Sequence, residues 1–128
     1  VIQSYGKEES NTMTDDGSIL RTLRVACDLE PDDDDFDVDI KLSANLSFLA
    51  LHRQGIGPKK IFAVKDVTDT WSDFEIDDQY IETVKSYVAT RANIAVNGGS
   101  MSAATLAEYK SFAREAEWTL MVELSSGE

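Results

Sequence analysis

The chain has 128 residues, 42% of them hydrophobic and 28% charged, which suits one folded domain around one core and excludes wholesale disorder or two independent domains. Asp plus Glu number 24 against 12 Lys plus Arg, a formal charge of −12 that opposes nucleic-acid binding through a basic face. The single cysteine, Cys27, excludes an internal disulfide, and no apolar run approaches the roughly 20 residues of a membrane span, so the expectation is a soluble intracellular protein with no membrane partner.

Residues 1–15 mix Gly, Ser, Asn, Thr and charges with little periodicity, the composition of a flexible arm, and lack the basic-then-apolar layout of an export signal. From Ser18, "SILRTLRVACDL" sets Ile19, Leu20, Leu23, Ala26 and Cys27 at helical spacing, with Asp15, Asp16 or Ser18 as N-cap. This predicts a short first helix. "EPDDDDFDVDI" follows, where a proline and mutually repelling aspartates favour a loop and bring carboxylates to the positive end of the next helix. That second helix is expected from about Asp37 to Gln54, with Gly55 closing it. Its apolar residues Val38, Ile40, Leu42, Ala44, Leu46, Phe48, Leu49 and Leu51 form an arc too broad for a helix with one face on solvent, which predicts a central helix.

Residues 55–75 break the helical pattern. "GIGP" at Gly55 to Pro58 is a turn, and "KIFAVKDVTDTW" is β-branched and weakly alternating, which predicts a short strand or hairpin turning at Asp66 or Asp69. An isolated hairpin is marginal in water, so the segment has to lean on the helices or on a partner. Beyond Asp77 or Asp78 as cap, Tyr80, Ile81, Val84, Tyr87, Val88, Arg91 and Ala95 trace a third helix. "NGGSMS" ends it and offers Ser100 or Ser102 as cap of a fourth, which runs to about Leu124. The inward stripe of that helix is Leu106, Tyr109, Ala113, Ala116 and Leu120, flanked by Phe112 and Trp118. The expected fold is mainly α: a four-helix bundle-like domain over residues 16–124, with a short β-hairpin or extended excursion between helices 2 and 3, a flexible N-terminal arm over 1–15 and a C-terminal tail over 125–128.

Signals of chemistry are weak. Asp33, Asp35 and Asp37 alternate as in a calcium loop, but Val38 and Ala44 stand where its glycine and glutamate belong, so a solvated loop with helix-capping acids is expected. Cys27 and His52 fall on helices without a glycine-rich elbow or a third partner, which suits a core thiol and a surface or partly packed histidine. "NGGS" lacks the lysine and spacing of a phosphate loop. No catalytic, cofactor or metal site is expected. Trp71 and Phe74, set among acids, are either lids over the third helix or anchors for a partner.

The acidic "DDDFDVDI", then "QGIGP", the spaced pattern Phe62, Val64, Asp66, Thr68 and "TWSDF", then "DD", "VKSYV" and "EAEWTLMVE" resemble small head-tail connector (adaptor) proteins of tailed phages. The resemblance covers about 36–123 and is sharpest at Gly55, Gly57, Pro58, Thr70, Trp71, Asp73, Phe74, Val84, Lys85, Tyr87, Glu117 and Trp118. Similar proteins often carry prolines where "NGGSMS" stands and a basic residue where Thr119 follows the tryptophan. The resemblance implies a structural virion protein without enzymatic activity or cofactor. Its partners would be further copies in a twelve-fold ring, the portal protein and a head-closure or tail component, with genomic DNA passing through an acidic lumen without specific binding. It would assemble in the host cytoplasm and reside in the neck of the virion. Ile61, Phe62, Val64, Trp71, Phe74 and Trp118 are then the expected interface residues, with residues 55–75 meeting a neighbour or the portal. The rival reading is an acidic DNA mimic that inhibits a nucleic-acid enzyme, which needs its acids spread over one continuous face, whereas many of them fall at caps and loops, or another small phage-encoded interaction protein; a weaker rival is an enzyme that depends on Cys27 or His52.

Overall fold

The helices begin and end where local chemistry supplies partners for their unpaired backbone groups. The structure, a computed structural model, describes residues 17–126, so the expected arm 1–15 lies outside the described residues. Helix α1 (Ile19–Ala26) starts at Ser18, whose Oγ accepts the Arg21 N–H at 3.3 Å. It ends with Asp28 in the left-handed region at φ 70°. There the Leu29 N–H donates to the Arg24 carbonyl at 2.9 Å and the Asp28 N–H to that of Val25 at 3.0 Å.

Helix α2 (Asp37–Arg53) closes in the same way on Gly55, at φ 77°. The Ile56 N–H reaches the Leu51 carbonyl and the Gly55 N–H that of His52, both at 2.9 Å. Ile56 and Leu51 are buried, so the turn also adds to the core. At its other end, Asp37 and Asp39 in the first turn suit the positive pole of the helix dipole. Helix α3 (Asp78–Asn97) follows Asp77 as its N-cap, and a 3-10 turn at Gly98–Ser100 leads to α4 (Ala103–Ser126). Ser102 caps α4, its Oγ accepting the Thr105 N–H at 3.1 Å. The first residues of the expected tail thus belong to a helix.

The central helix is α3, which packs against α1, α2 and α4. Helices α2 and α4 flank it and barely touch each other, so the bundle-like body is open on one side. The expectation of a central α2 is corrected accordingly. Ile40, Ala44, Phe48 and Leu51 face the core, whereas Val38, Leu42 and Leu46 are exposed on the other side of the same helix. On the other elements the expected stripes hold for Ile19, Leu20, Leu23, Cys27, Val84, Tyr87, Val88, Ala113 and Leu120, all buried, while Ala26 and Ala95 are exposed.

The expected hairpin is not formed: no strand occurs among the described residues. Residues 64–70 find hydrogen-bond partners without one. Asn45 on α2 grips Val64 twice, its Nδ2 donating to the carbonyl at 3.2 Å and its Oδ1 accepting the N–H at 2.7 Å. Asp69 Oδ2 accepts from the N–H groups of Lys65 at 2.6 Å and Asp66 at 3.0 Å. Side chains thereby satisfy the backbone that a second strand would otherwise have to serve. A single antiparallel bridge, Ser18 with Thr70, ties the end of the segment to the start of α1. The Trp71 N–H donates to the Gly17 carbonyl at 3.0 Å and the Ile19 N–H to that of Asp69 at 3.1 Å.

The excursion is held by aromatic packing. Phe48 of α2 meets Phe62 edge-on at 4.8 Å between ring centroids and Phe74 at 5.2 Å, and Phe62 meets Phe74 edge-on at 5.4 Å. Such pairs contribute about 0.5–1.5 kcal/mol each beyond their burial. Trp71 completes the cluster, and its indole Nε1–H donates to Thr22 Oγ1 at 3.1 Å, so no polar group is stranded in the core. Gly57, at φ 98°, lies so close that a Cβ there would run into the Phe74 ring.

Candidate protein interface

Of the six side chains expected to meet a partner, the fold turns three inward. Val64, Trp71 and Phe74 are buried, Trp71 with 4% of its surface exposed, and Phe62 packs half-buried against them. For Trp71 and Phe74 this is the first of the two readings above, lids over the core. Ile61 and Trp118 point the other way, with 60% and 61% exposure. The fold does not bring the six together as one surface patch.

Sequence reasoning missed a second apolar stripe. Val38, Leu42 and Leu46 recur every four residues on α2 and are 78%, 60% and 50% exposed. At about 100° per residue, Leu42 and Leu46 lie almost opposite Ala44, which faces the core. Two stripes on opposite sides of one helix explain why its apolar arc is so broad, and separating them by phase was the available signal. Phe112 on α4 is also exposed.

Between α2 and α4, over α3, runs an open groove of about 550 Å³. Leu42 and Leu46 form one rim, Tyr87, Arg91 and Ile94 the floor, and Lys110, Arg114 and Glu117 the other rim. Glu117 closes the structure across it: its Oε2 accepts from Gln54 Nε2 at 2.9 Å and its Oε1 from the Tyr87 hydroxyl at 3.3 Å. Arg91 Nη1 donates to the same hydroxyl at 2.6 Å, its guanidinium 5.4 Å from the ring centroid. Burial raises the Tyr87 phenol above its ordinary value, with the nearby Arg91 charge opposing that shift. The phenol therefore stays protonated near neutral pH and serves as a neutral donor.

The aspartate run has a mechanical role. Arg24 is buried and makes a bidentate pair with Asp37, Nε to Oδ1 at 3.0 Å and Nη2 to Oδ2 at 2.6 Å, while Nη1 donates to the Pro31 carbonyl at 2.7 Å. The Asp37 hydrogen bonds raise the Arg24 pKa further, against the opposing effect of burial. Arg21 pairs with Asp32 at 2.9 Å, and Asp33 Oδ1 accepts the Asp35 N–H at 3.0 Å. The loop between α1 and α2 is thus pinned from below. Asp33, Asp34 and Asp35 form no ion pair among the described residues.

The remaining candidates resolve into structural parts. Burial, followed by the Asp28 charge, pushes the Cys27 thiol up to about 11, well above the range of a reactive thiolate, and no hydrogen bond joins it to His52. The "NGGS" turn is held by the Ser100 hydroxyl on the Asn97 carbonyl at 3.0 Å and by Asn97 Nδ2 on the Cys27 carbonyl at 2.9 Å. No group of acids, histidines or cysteines among the described residues is arranged to hold a metal. No helix among them is long and apolar enough to cross a membrane.

Compared with known proteins, residues 19–126 match the family model described as "Phage connector protein", a span that takes in the four α-helices of the described residues. No curated protein and no solved structure matches the chain.

Proposed function

Because the chain belongs to the phage connector protein family, a family of structural proteins, we propose that it acts as a head-tail connector in a tailed bacteriophage. In this reading copies form a ring in the neck of the virion, below the portal and above the next head-closure or tail component, after assembly in the host cytoplasm. A helical bundle-like body with well-filled inner faces and large apolar groups left outside is the form such a building block needs. The observation that carries the proposal is the family match over 19–126. The exposed stripe Val38, Leu42 and Leu46 supports it, because contiguous apolar groups at a surface mark contacts with other proteins, and Trp118 on α4 is a further exposed aromatic.

Within this reading the six candidate residues divide their work. Ile61 and Trp118, which remain on the surface, touch neighbouring components directly. Phe62, Val64, Trp71 and Phe74 hold the loop that carries Ile61 against α2 and α3, and so act by positioning it. Trp118 is the stronger anchor, since a rigid aromatic supplies much contact area at little entropic cost.

The charge of −12 suits the passage of DNA. A lumen lined with carboxylates repels phosphate, whereas a basic lumen would hold it through counterion release. The direct test is electron microscopy of purified particles with the protein located by a label. A ring at the neck is the expected result, and a position on the shell or the tail tip overturns the proposal. Isolated rings are expected to show no tight binding of duplex DNA at moderate salt; tight binding would remove the role given to the acidic lumen.

A further inference from the structure

We infer that the groove between α2 and α4 receives the acidic α1–α2 loop, residues 32–36, of a second copy of this chain, so that copies join head to tail. The inference rests on the connector reading and deepens it by assigning the two surfaces of the contact. Three observations lead to it.

The first is the groove's charge. In a chain with 12 Lys plus Arg against 24 acids, three of the cations, Arg91, Lys110 and Arg114, line this one groove. Lys110 and Arg114 stand one helical turn apart on α4, where like charges disfavour the helix by a few tenths of a kcal/mol. Neither makes an ion pair among the described residues. Glu117 beside them is already engaged by Gln54 and Tyr87. The arrangement is explained if an anion arrives from outside.

The second is the loop. Copies carrying −12 each repel one another, so a contact between them has to place opposite charges face to face. Asp33, Asp34 and Asp35 offer three carboxylates that form no ion pair among the described residues, and the Arg24 and Arg21 bonds hold the loop in one shape before any partner arrives. A preformed shape lowers the ordering cost of binding.

The third is apolar. Leu42 and Leu46 on the groove rim are exposed in the single chain, and Phe36, also exposed, sits at the end of the loop. A phenylalanine beside acids matches a groove that has Leu42 and Leu46, with Asp39 at their end, along one wall and Lys110 and Arg114 along the other. Bare phosphate, as in DNA, would use the cations and leave the leucines in water. When each copy gives its loop to one neighbour and takes the loop of another, the contact is heterologous, the type that generates rings when the rotation closes.

The test is charge reversal followed by exchange, with association of the full-length chain read by sedimentation velocity at low salt. Lys110→Glu/Arg114→Glu is expected to weaken association at least about tenfold, and Asp33→Lys/Asp34→Lys to do the same, since each places like charges across the contact. Both sets combined in one chain are expected to restore most of it. Circular dichroism confirms that each variant is folded. As a second measurement, Asp34→Cys/Arg114→Cys is expected to give a ladder of disulfide-linked multimers on oxidation, with the buried Cys27 not competing. Association that ignores both reversals, a product that stops at a closed dimer, or a wild-type chain that stays monomeric at every concentration overturns the inference. The location of the protein at the neck is decided separately by microscopy, so the contact can fail while the connector reading stands.

Discussion

The excursion of residues 56–74 and the outer wall of α2 carry the same kind of side chain and meet opposite fates. Phe62, Val64, Trp71 and Phe74 come from an irregular segment rich in acids, yet they close over Phe48 and join the core. Val38, Leu42 and Leu46 come from a regular helix and are left in water. An irregular segment can bend until its large groups are covered. A helix that has already turned one face inward cannot turn the opposite face inward as well. In this molecule the regular apolar stripe left in water therefore lies on the rigid helix, while Ile61 and Val67 are the large apolar groups of the excursion that stay at the surface.

Breaking the buried half should have the largest effect. Phe74→Ala removes a ring that touches both Phe48 and Phe62 and is expected to lower stability by about 3–5 kcal/mol, read by urea unfolding. A loss below 1 kcal/mol would mean that the excursion does not depend on its aromatic cluster. Next is the strut beneath the acidic loop: Arg24→Met strands Asp37 and is expected to cost about 3 kcal/mol. Adding Asp37→Leu should recover most of that, because an apolar pair avoids the desolvation of two charges.

A smaller effect comes from the Cys27 thiol, whose ordinary value of 9.0 rises to about 11 in the fold. Between these values the unfolded chain releases a proton that the folded chain still holds. Stability from this group is therefore complete below pH 9 and lost as pH rises toward 11, by about 2–3 kcal/mol in all. Cys27→Ala should flatten that part of the stability profile. The smallest effect on folding belongs to the exposed wall. Leu42→Gln/Leu46→Gln is expected to change stability by no more than about 0.5 kcal/mol while weakening association, measured by thermal melts and sedimentation together. A large loss of stability instead would return these leucines to the core and remove the comparison.

Local signals made much of the fold legible. Ser18, Ser102 and Gly55 mark helix boundaries because caps and left-handed turns depend on a few neighbouring residues. The hairpin was misread because β-branched residues describe what a segment tolerates, while Asn45, 19 positions before Val64, supplies the hydrogen bonds that replace a strand. The burial of Val64, Trp71 and Phe74 was not legible for a related reason: aromatic and apolar content is a property of the residues, and exposure is a property of what surrounds them.

By itself the sequence determined the four helices, their caps, the −12 charge and the family pattern across the chain, since periodicity, capping and charge depend on residue type and near spacing. Only the tertiary structure decided that α3 is the central helix, that Trp71 and Phe74 turn inward, and that Leu42 and Leu46 face Lys110 and Arg114 across an open groove. Those outcomes follow from how helices far apart in the chain pack, and a helix with two apolar stripes does not encode which of them its own neighbours will cover.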